Sequence, residues 1–231
     1  MTAILSNLQA TRVAVAQAAQ AAQRGDGEVH LLAVSKTFPA QAVREAYQAG
    51  QRAFGENYVQ EALDKIDALR DLPLEWHFIG PIQSNKTRVI AENFSWVHGV
   101  DRLKIAERLS AQRPVHLPPL NICLQVNVSG EDSKSGVTPS EAEALAVQTA
   151  QLPNLKLRGL MAIPAPSEDP AMQRLPFARM RILLQQLNSR GLQLDTLSMG
   201  MSHDYPAAIA EGATIVRIGT AIFGVRAKAQ V

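Results

Sequence analysis

The sequence predicts a single-domain (β/α)8 barrel, an α/β fold of the TIM-barrel class, with an extra N-terminal helix. Three observations lead to this prediction. The length of 231 residues is in the usual range for one complete barrel. Short apolar, β-branched runs alternate eight times with stretches of helical periodicity, which is typical of βαβ units. No linker or break in composition divides residues 1–231, which favours one closed barrel over an open doubly wound sheet.

The predicted elements follow one another in a regular order. Residues 6–24 form an alanine-rich amphipathic helix that the glycines at 25 and 27 end. The predicted strands are 31–36, 53–55, 74–79, 96–99, 120–128, 155–161, 194–199 and 214–219. Predicted helices between them include 40–50, 59–70, 101–112 and 177–191. The Pro-rich stretch 163–176 is expected to be one long loop.

Two helix starts carry capping signals. Asn57 with Gln60, and Thr138 with Glu141, have the spacing of a capping box, in which two side chains satisfy two backbone N–H groups. Both signals precede predicted helices and support their placement.

Composition excludes several classes of function. The net charge of +2 lacks the basic bias of a nucleic-acid-binding protein. The single cysteine, Cys123, excludes an internal disulfide and is expected to be a reduced core thiol. Neither a secretory signal nor a membrane-spanning apolar run is apparent, so we expect a cytoplasmic protein that binds no membrane. The five scattered histidines lack metal-ligand spacing, which argues against a bound metal.

Lys36 follows an apolar run at the end of the first predicted strand. In a (β/α)8 barrel the reactive face is formed by the carboxyl ends of the strands. Partial burial there lowers the pKa of an amine, which suits it to attack an aldehyde. The alternative is a lysine that extends from a strand end into solvent.

The segments after the last two predicted strands suit a phosphate. Ser198–Ser202 and Arg217–Thr220 each combine a glycine with a hydroxyl donor, after the two strands that commonly bind phosphate in this fold. The alternative is ordinary turn chemistry. Arg217 shares the facing of Gly219 by strand alternation and is expected to point into the barrel mouth, unless it forms a structural ion pair.

Polar groups at or near three other strand ends each have two possible interpretations. Asn57 follows the second strand and is either a ligand or a helix cap. His77 lies in the third strand, where a hydrogen-bonded core histidine is the more common case. The polar loop 129–136 follows the fifth strand and is otherwise a solvated turn.

Taken in order, these segments resemble the pyridoxal phosphate (PLP) homeostasis protein family. The resemblance covers about residues 31–224 and implies a fold-type III PLP barrel similar to the N-terminal domain of alanine racemase. It is carried by the stretches LLAVSKTFP, FGENYVQEALDKI, LEWHFIGPIQSNK, VNVSGEDSKSGV, LRGLMAIPAP and LSMGMSHDYPAAIAEGATIVRIGTAIFG.

The resemblance implies a role for each strand-end residue. Lys36 becomes the lysine that holds PLP as a Schiff base, and Arg217 becomes the partner of the pyridine nitrogen. The implied phosphate ligands are Ser202, Gly219 and Thr220, with the backbone around Met201. Asn57 and His77 are implied near the ring, and Lys134 in PLP transfer or a second PLP site. His203 and Tyr205 receive no role.

Three functions are considered. The first is a PLP carrier that buffers the free aldehyde and supplies apo-enzymes; the second is a PLP-dependent racemase or decarboxylase. The third is a sugar-phosphate barrel in which Lys36 acts as in aldolases. The resemblance favours the first two and suggests a monomer. The sequence ends at Val231, soon after the last phosphate segment, so we expect no second domain to supply a racemase's second base and no amino-acid turnover.

Overall fold

The computed structural model describes residues 2–131 and 134–225. Within them, eight parallel strands form a closed barrel in chain order, because the last strand pairs with the first. The strands are β1 (His30–Val34), β2 (Ala53–Glu56), β3 (Glu75–Phe78), β4 (Trp96–Val100), β5 (Leu120–Gln125), β6 (Leu155–Met161), β7 (Thr196–Ser198) and β8 (Ile215–Ile218). The predicted (β/α)8 barrel is confirmed.

Helices surround this sheet and cover its outer face. They are α1 (Ala3–Ala21), α2 (Ala40–Gln48), α3 (Val59–Ala68), α4 (Thr87–Asn93), α5 (Leu103–Gln112), α6 (Pro139–Ala150), α7 (Pro170–Ser189), α8 (Tyr205–Ala210) and α9 (Thr220–Phe223). The extra N-terminal helix α1 packs on α2, α8 and α9. It buries Leu8, Thr11, Val15 and Ala19, spaced by three or four residues along one face. Helix α1 therefore covers the place where the first and last βα units meet.

Of the two predicted capping boxes, one is confirmed and one is wrong. Both reciprocal bonds of a capping box join Thr138 and Glu141 at the start of α6. Helix α3, however, begins at Val59 with Tyr58 at its N-cap position, one residue later than the capping spacing predicts. Asn57 lies outside the helix and does not cap it.

The long loop predicted at 163–176 is wrong in its second half, because α7 begins at Pro170. The Asp169 side chain accepts a hydrogen bond from the Ala171 N–H and so caps the helix. Proline suits the first helical position, since its fixed φ is already helical and its missing N–H has no partner there. The loop after β6 therefore comprises residues 162–169 and is shorter than predicted.

Side-chain alternation along the strands divides the core in two. A large apolar cluster fills the space between strands and helices. A smaller cluster fills part of the barrel interior and consists of Leu32, Val34, Ile79, Trp96, Cys123, Met161 and Ile215. The predicted core thiol is confirmed, and burial raises the pKa of Cys123 to about 12, which keeps it protonated. The alternation also turns four polar residues inward, His77, His98, Ser198 and Arg217.

Candidate functional site at the carboxyl-terminal mouth of the barrel

The structure brings four of the predicted site residues to the carboxyl ends of three neighbouring strands, β7, β8 and β1. These residues are Lys36, Ser202, Gly219 and Thr220. A Cβ atom on Gly219 would lie 3.0 Å from the carbonyl oxygen of Val34, so the backbones after β8 and β1 are in close contact. The Gly200 carbonyl after β7 accepts a hydrogen bond of 2.9 Å from the Arg217 N–H. The mouth thus has one polar sector in which these loops adjoin.

Lys36 is partly exposed and lies two residues beyond the end of β1, whereas the predicted strand included it. The next residue, Thr37, has a φ of +68°, in the left-handed region. A β-branched residue rarely adopts this conformation, and it persists only where surrounding contacts enforce it. The backbone at the candidate reactive lysine is therefore held in a strained turn.

A cluster next to Lys36, here called the Lys65 cluster, consists of the buried Ser35, Glu56 and Lys65 and the partly exposed Glu61. The Lys65 ammonium donates to Glu56 Oε1 at 2.7 Å and to Glu61 Oε1 at 2.6 Å. It also donates to the Ser35 carbonyl oxygen at 2.7 Å, and the Ser35 hydroxyl donates to Glu56 Oε1 at 2.6 Å. Lysine and glutamate are almost never buried to this degree unless they are paired.

The Lys65 cluster anchors the backbone on both sides of Lys36. The Ser35 carbonyl binds Lys65, while the Thr37 N–H donates to Glu61 Oε1 at 2.5 Å. These contacts supply the restraint that the left-handed Thr37 requires. Burial raises the pKa of Glu56 by more than the attraction of Lys65 lowers it, so this ion pair is held in place at an electrostatic cost.

Arg217 is buried under the mouth with its guanidinium bonded to neutral acceptors. Its Nη1 donates to the Ser198 carbonyl oxygen at 2.5 Å and to the Ser198 hydroxyl at 2.8 Å, and its Nη2 donates to the Ala162 carbonyl oxygen at 2.9 Å. Among the described residues no carboxylate is within ion-pairing distance of it, so the ion-pair alternative is excluded there. Burial lowers the pKa of Arg217 to about 10, which leaves it charged at neutral pH.

The loop after β7 turns sharply at Gly200, whose φ of +93° favours glycine. The next N–H, that of Met201, donates to Asp204 Oδ1 at 2.6 Å. This amide is therefore already used within the loop. Ser202 is partly buried and Thr220 is exposed. Their two hydroxyls are therefore accessible at this mouth as hydrogen-bond donors for a phosphate.

Asn57 faces a cavity of about 270 Å³ on the other side of the mouth, which Ile79, Pro81, Gln125 and Lys134 also line. Its Oδ1 atom is buried and has no hydrogen-bond donor among the described residues. Lys134 forms an ion pair of 2.7 Å with Glu131 on the loop after β5. A buried acceptor without a donor is rare in native proteins and points to a ligand or water.

The structure separates His77 from the mouth. Its ring lies inside the barrel, bonded through Nε2 to Glu75 Oε1 at 2.7 Å and through Nδ1 to His98 Nε2 at 2.9 Å. It also lines a cavity of about 630 Å³ at the amino ends of the strands. Burial lowers the pKa of His77 below its usual range and that of His98 still further. His77 is the core histidine that the sequence left open as an alternative.

Within residues 2–131 and 134–225, no group of three His, Cys, Asp or Glu side chains is arranged to hold a metal ion. None of the helices described in those ranges combines the length and apolarity needed to cross a membrane.

Comparison with known proteins identifies the family. Residues 6–227 match the family described as the alanine racemase N-terminal domain. Over 226 residues the chain is 66% identical to the pyridoxal phosphate homeostasis protein of Pseudomonas aeruginosa, covering 98% of this chain and 97% of that protein. The chain belongs to the pyridoxal phosphate homeostasis protein family. The resemblance stated from the sequence is thereby confirmed.

Two solved structures are similar to this barrel. PipY of Synechococcus elongatus, solved with PLP bound, is 41% identical with a TM-score of 0.83, covering 96% of this chain and 100% of that chain. Alanine racemase from Corynebacterium glutamicum, at 20% identity and a TM-score of 0.70, shares the fold. The present chain covers 62% of that racemase.

The sequence did not single out the Lys65 cluster or His98. Lys65 has the spacing of an ordinary helix surface residue in α3, and its burial depends on how α3 packs over β1 and β2. One sequence signal could have identified His98 as an interior residue: it lies two residues after Trp96 in β4, and alternation gives the two side chains the same inward facing. Its contact with Ser198 of β7 follows only from closure of the barrel.

Proposed function

We propose that this protein binds PLP covalently at Lys36 and serves as a PLP carrier in the cytoplasm. It holds the reactive aldehyde, keeps its free concentration low and supplies PLP-dependent apo-enzymes, acting as a monomer. The observation that carries the proposal is the donor set on three adjacent strands: an amine, two hydroxyls and a buried guanidinium. Each suits a different functional group of PLP.

These residues fit the cofactor group by group. The Lys36 amine condenses with the aldehyde, forming a C=N double bond as one water leaves. The hydroxyls of Ser202 and Thr220, with the backbone at Gly219, donate to the phosphate. Arg217 donates an N–H group to the pyridine nitrogen. Three of its five N–H donors are used within the protein, which leaves two for a ligand.

Asn57 is proposed to complete the ring site, because its buried Oδ1 accepts from a ligand group that donates a hydrogen bond. His77 is not included, because its ring bonds Glu75 and His98 inside the barrel. Met201 contributes through the turn it begins, and Lys134 remains a prediction for PLP transfer or a second PLP site.

Removing the phosphate donors should weaken binding in steps. A Ser202→Ala change leaves the remaining donors in place, so we expect a loss of about 1–3 kcal/mol, the range for charge-assisted hydrogen bonds. The Ser202→Ala, Thr220→Ala double variant should lose more. Affinity for PLP is measured by titration of each apo-protein, with Ser189→Ala on the exposed end of α7 as control. An unchanged affinity in the double variant would contradict this phosphate site.

The protein should lack meaningful racemase or decarboxylase turnover. PLP supplies an electron sink that is strongest when its pyridine nitrogen is protonated. Arg217 keeps its proton at neutral pH, so the sink should be weak. A two-base racemase also needs a second acid or base. Tyr47 lies in the last turn of α2, and Tyr58 and Tyr205 lie at the starts of α3 and α8, so we assign that role to none of them.

The decisive experiment starts with an absorbance spectrum of the purified protein, which should be yellow if PLP is bound to a lysine. The holo-protein is then incubated with L- and D-amino acids in deuterated water, and α-proton exchange and chirality are followed. Repeated inversion of the amino acid that disappears in Lys36→Ala would replace the carrier by a racemase. A colourless protein that reacts with sugar phosphates would favour the aldolase-like alternative.

A further inference from the structure

Five side chains form a continuous hydrogen-bond relay through the barrel interior. The bonds are Arg217 Nη1 to Ser198 Oγ at 2.8 Å, Ser198 Oγ to His98 Nδ1 at 2.7 Å, His98 Nε2 to His77 Nδ1 at 2.9 Å, and His77 Nε2 to Glu75 Oε1 at 2.7 Å. Four of the five residues are buried, whereas the Glu75 side chain is 51% exposed. The relay therefore joins Arg217, under the mouth, to the cavity at the opposite end of the barrel.

The direction of two bonds follows from the charges. Burial lowers the pKa of both His77 and His98, so each ring is neutral at pH 7 and has one donor and one acceptor nitrogen. The bond from His77 lowers the pKa of Glu75, which is therefore a carboxylate and accepts only. His77 must then donate from Nε2 and accept at Nδ1. It follows that His98 donates from Nε2.

The remaining bonds are fixed in the same way. Because His98 is neutral with its proton on Nε2, its Nδ1 accepts from the Ser198 hydroxyl. The Ser198 oxygen in turn accepts from Arg217, which has donors only. All four bonds thus point from the guanidinium cation toward the Glu75 carboxylate. The other titratable or charged groups that act on these residues are His30 and Arg158 at Glu75, and Asp204 and Cys123 at Arg217.

We propose that Glu75, His77, His98 and Ser198 are positioning residues for Arg217, so that a carboxylate at the far end of the barrel tunes how Arg217 binds PLP. Hydrogen bonds in series polarise one another where water is excluded. Ser198 also binds the same guanidinium nitrogen through its carbonyl and its hydroxyl, which fixes the plane of the group. The inference rests on the proposed function only in assigning PLP to Arg217.

The relay itself is tested without PLP, by ¹⁵N NMR of the histidines in the apo-protein. We expect both His77 and His98 to be neutral with the proton on Nε2. Glu75→Gln should shift the ring nitrogens of His98 as well as those of His77, although His98 does not contact residue 75. Glu28→Gln removes a charge from the same cavity without touching His77 and is the matched control. A ring protonated on Nδ1, or an unresponsive His98, would overturn the relay.

Its effect on the cofactor is tested by the PLP dissociation constant and the visible spectrum of the bound form. His98→Leu removes both ring nitrogens and should weaken PLP about 5- to 20-fold, the equivalent of one or two hydrogen bonds, with a shifted absorbance maximum. His98→Gln keeps one donor and one acceptor and should stay within about 3-fold of the wild type. Glu75→Gln, at a half-exposed position, gives the same readout if His98→Leu fails to fold.

The outcomes separate this inference from the proposed function. If the wild type binds PLP and Glu75→Gln and His98→Leu bind it with the same affinity and spectrum, the relay does not tune Arg217, while the carrier proposal stands. If the wild type does not bind PLP, the carrier proposal fails, and the tuning of a PLP site fails with it. The NMR result then still decides whether the relay has the direction proposed.

Discussion

Replacing Lys36 by alanine is expected to abolish covalent attachment of PLP. The amine is the nucleophile for the aldehyde, and the remaining donors at the mouth form only hydrogen bonds. The variant should lose the visible band of the lysine adduct and release its PLP on gel filtration. In the wild type, borohydride reduction followed by peptide mapping should place a pyridoxyl group on Lys36.

Lys134→Ala is the matched control, because Lys134 is the other lysine at this mouth that the family resemblance implicates. It should keep the visible band and the pyridoxyl group at Lys36. A pyridoxyl group mapped only to Lys134 or to another lysine would refute the assignment. Thr37→Gly is a second control for covalent attachment at Lys36, because glycine relieves the left-handed strain at residue 37 without removing the Lys36 amine.

The Lys65→Met change is expected to have the largest effect on stability. The methionine side chain would fill similar space but leave the Glu56 carboxylate buried without its cation, and Glu56 is fully buried in the structure. Removing one partner of a buried ion pair typically lowers the free energy of unfolding by about 3–5 kcal/mol. Urea denaturation of the apo-protein measures this loss. Glu61→Gln, at the more exposed partner, should lose only about 1 kcal/mol.

The effect of Lys65→Met should depend on pH. The pKa of Glu56 is raised in the folded protein, so folding favours the protonated carboxyl and this group adds stability as pH falls. Without Lys65 the pKa of Glu56 is raised further, because the attraction that lowered it is lost, so the variant's deficit should be smaller at pH 5 than at pH 8. Adding Glu56→Gln removes the charge while keeping an acceptor for Ser35. Failure of the double variant to recover any stability would show that the uncompensated charge is not the cause.

The barrel was predictable from the sequence because its signal is local. Each βα unit has its own alternation of apolar runs and amphipathic helices, and no long-range information is needed to count them. The placement of the strand-end residues at the mouth was predictable for the same reason, since the carboxyl ends of all eight strands meet at one face of the barrel. Errors occur where one residue decides, as at the start of α3, where Tyr58 and not Asn57 occupies the N-cap position.

The interior polar groups were not predictable, because their partners come together only when the sheet closes. His98 and Ser198 are 100 residues apart and lie on strands that do not pair with each other. Periodicity indicates that a side chain points inward but not which strand it meets across the barrel. His77 differs, because its partners Glu75 and His98 lie on its own strand β3 and on the adjacent strand β4, so closure of the sheet is not needed to bring them together.

The two anchors around Lys36 have a thermodynamic consequence. The Lys65 cluster fixes the backbone at Ser35 and Thr37 as the protein folds, so the conformational entropy of this segment is lost during folding. Little further ordering is then required when a ligand arrives, and little is recovered when it departs. Loading and unloading can proceed on an unchanged scaffold. A preorganised mouth of this kind favours reversible exchange of a cargo.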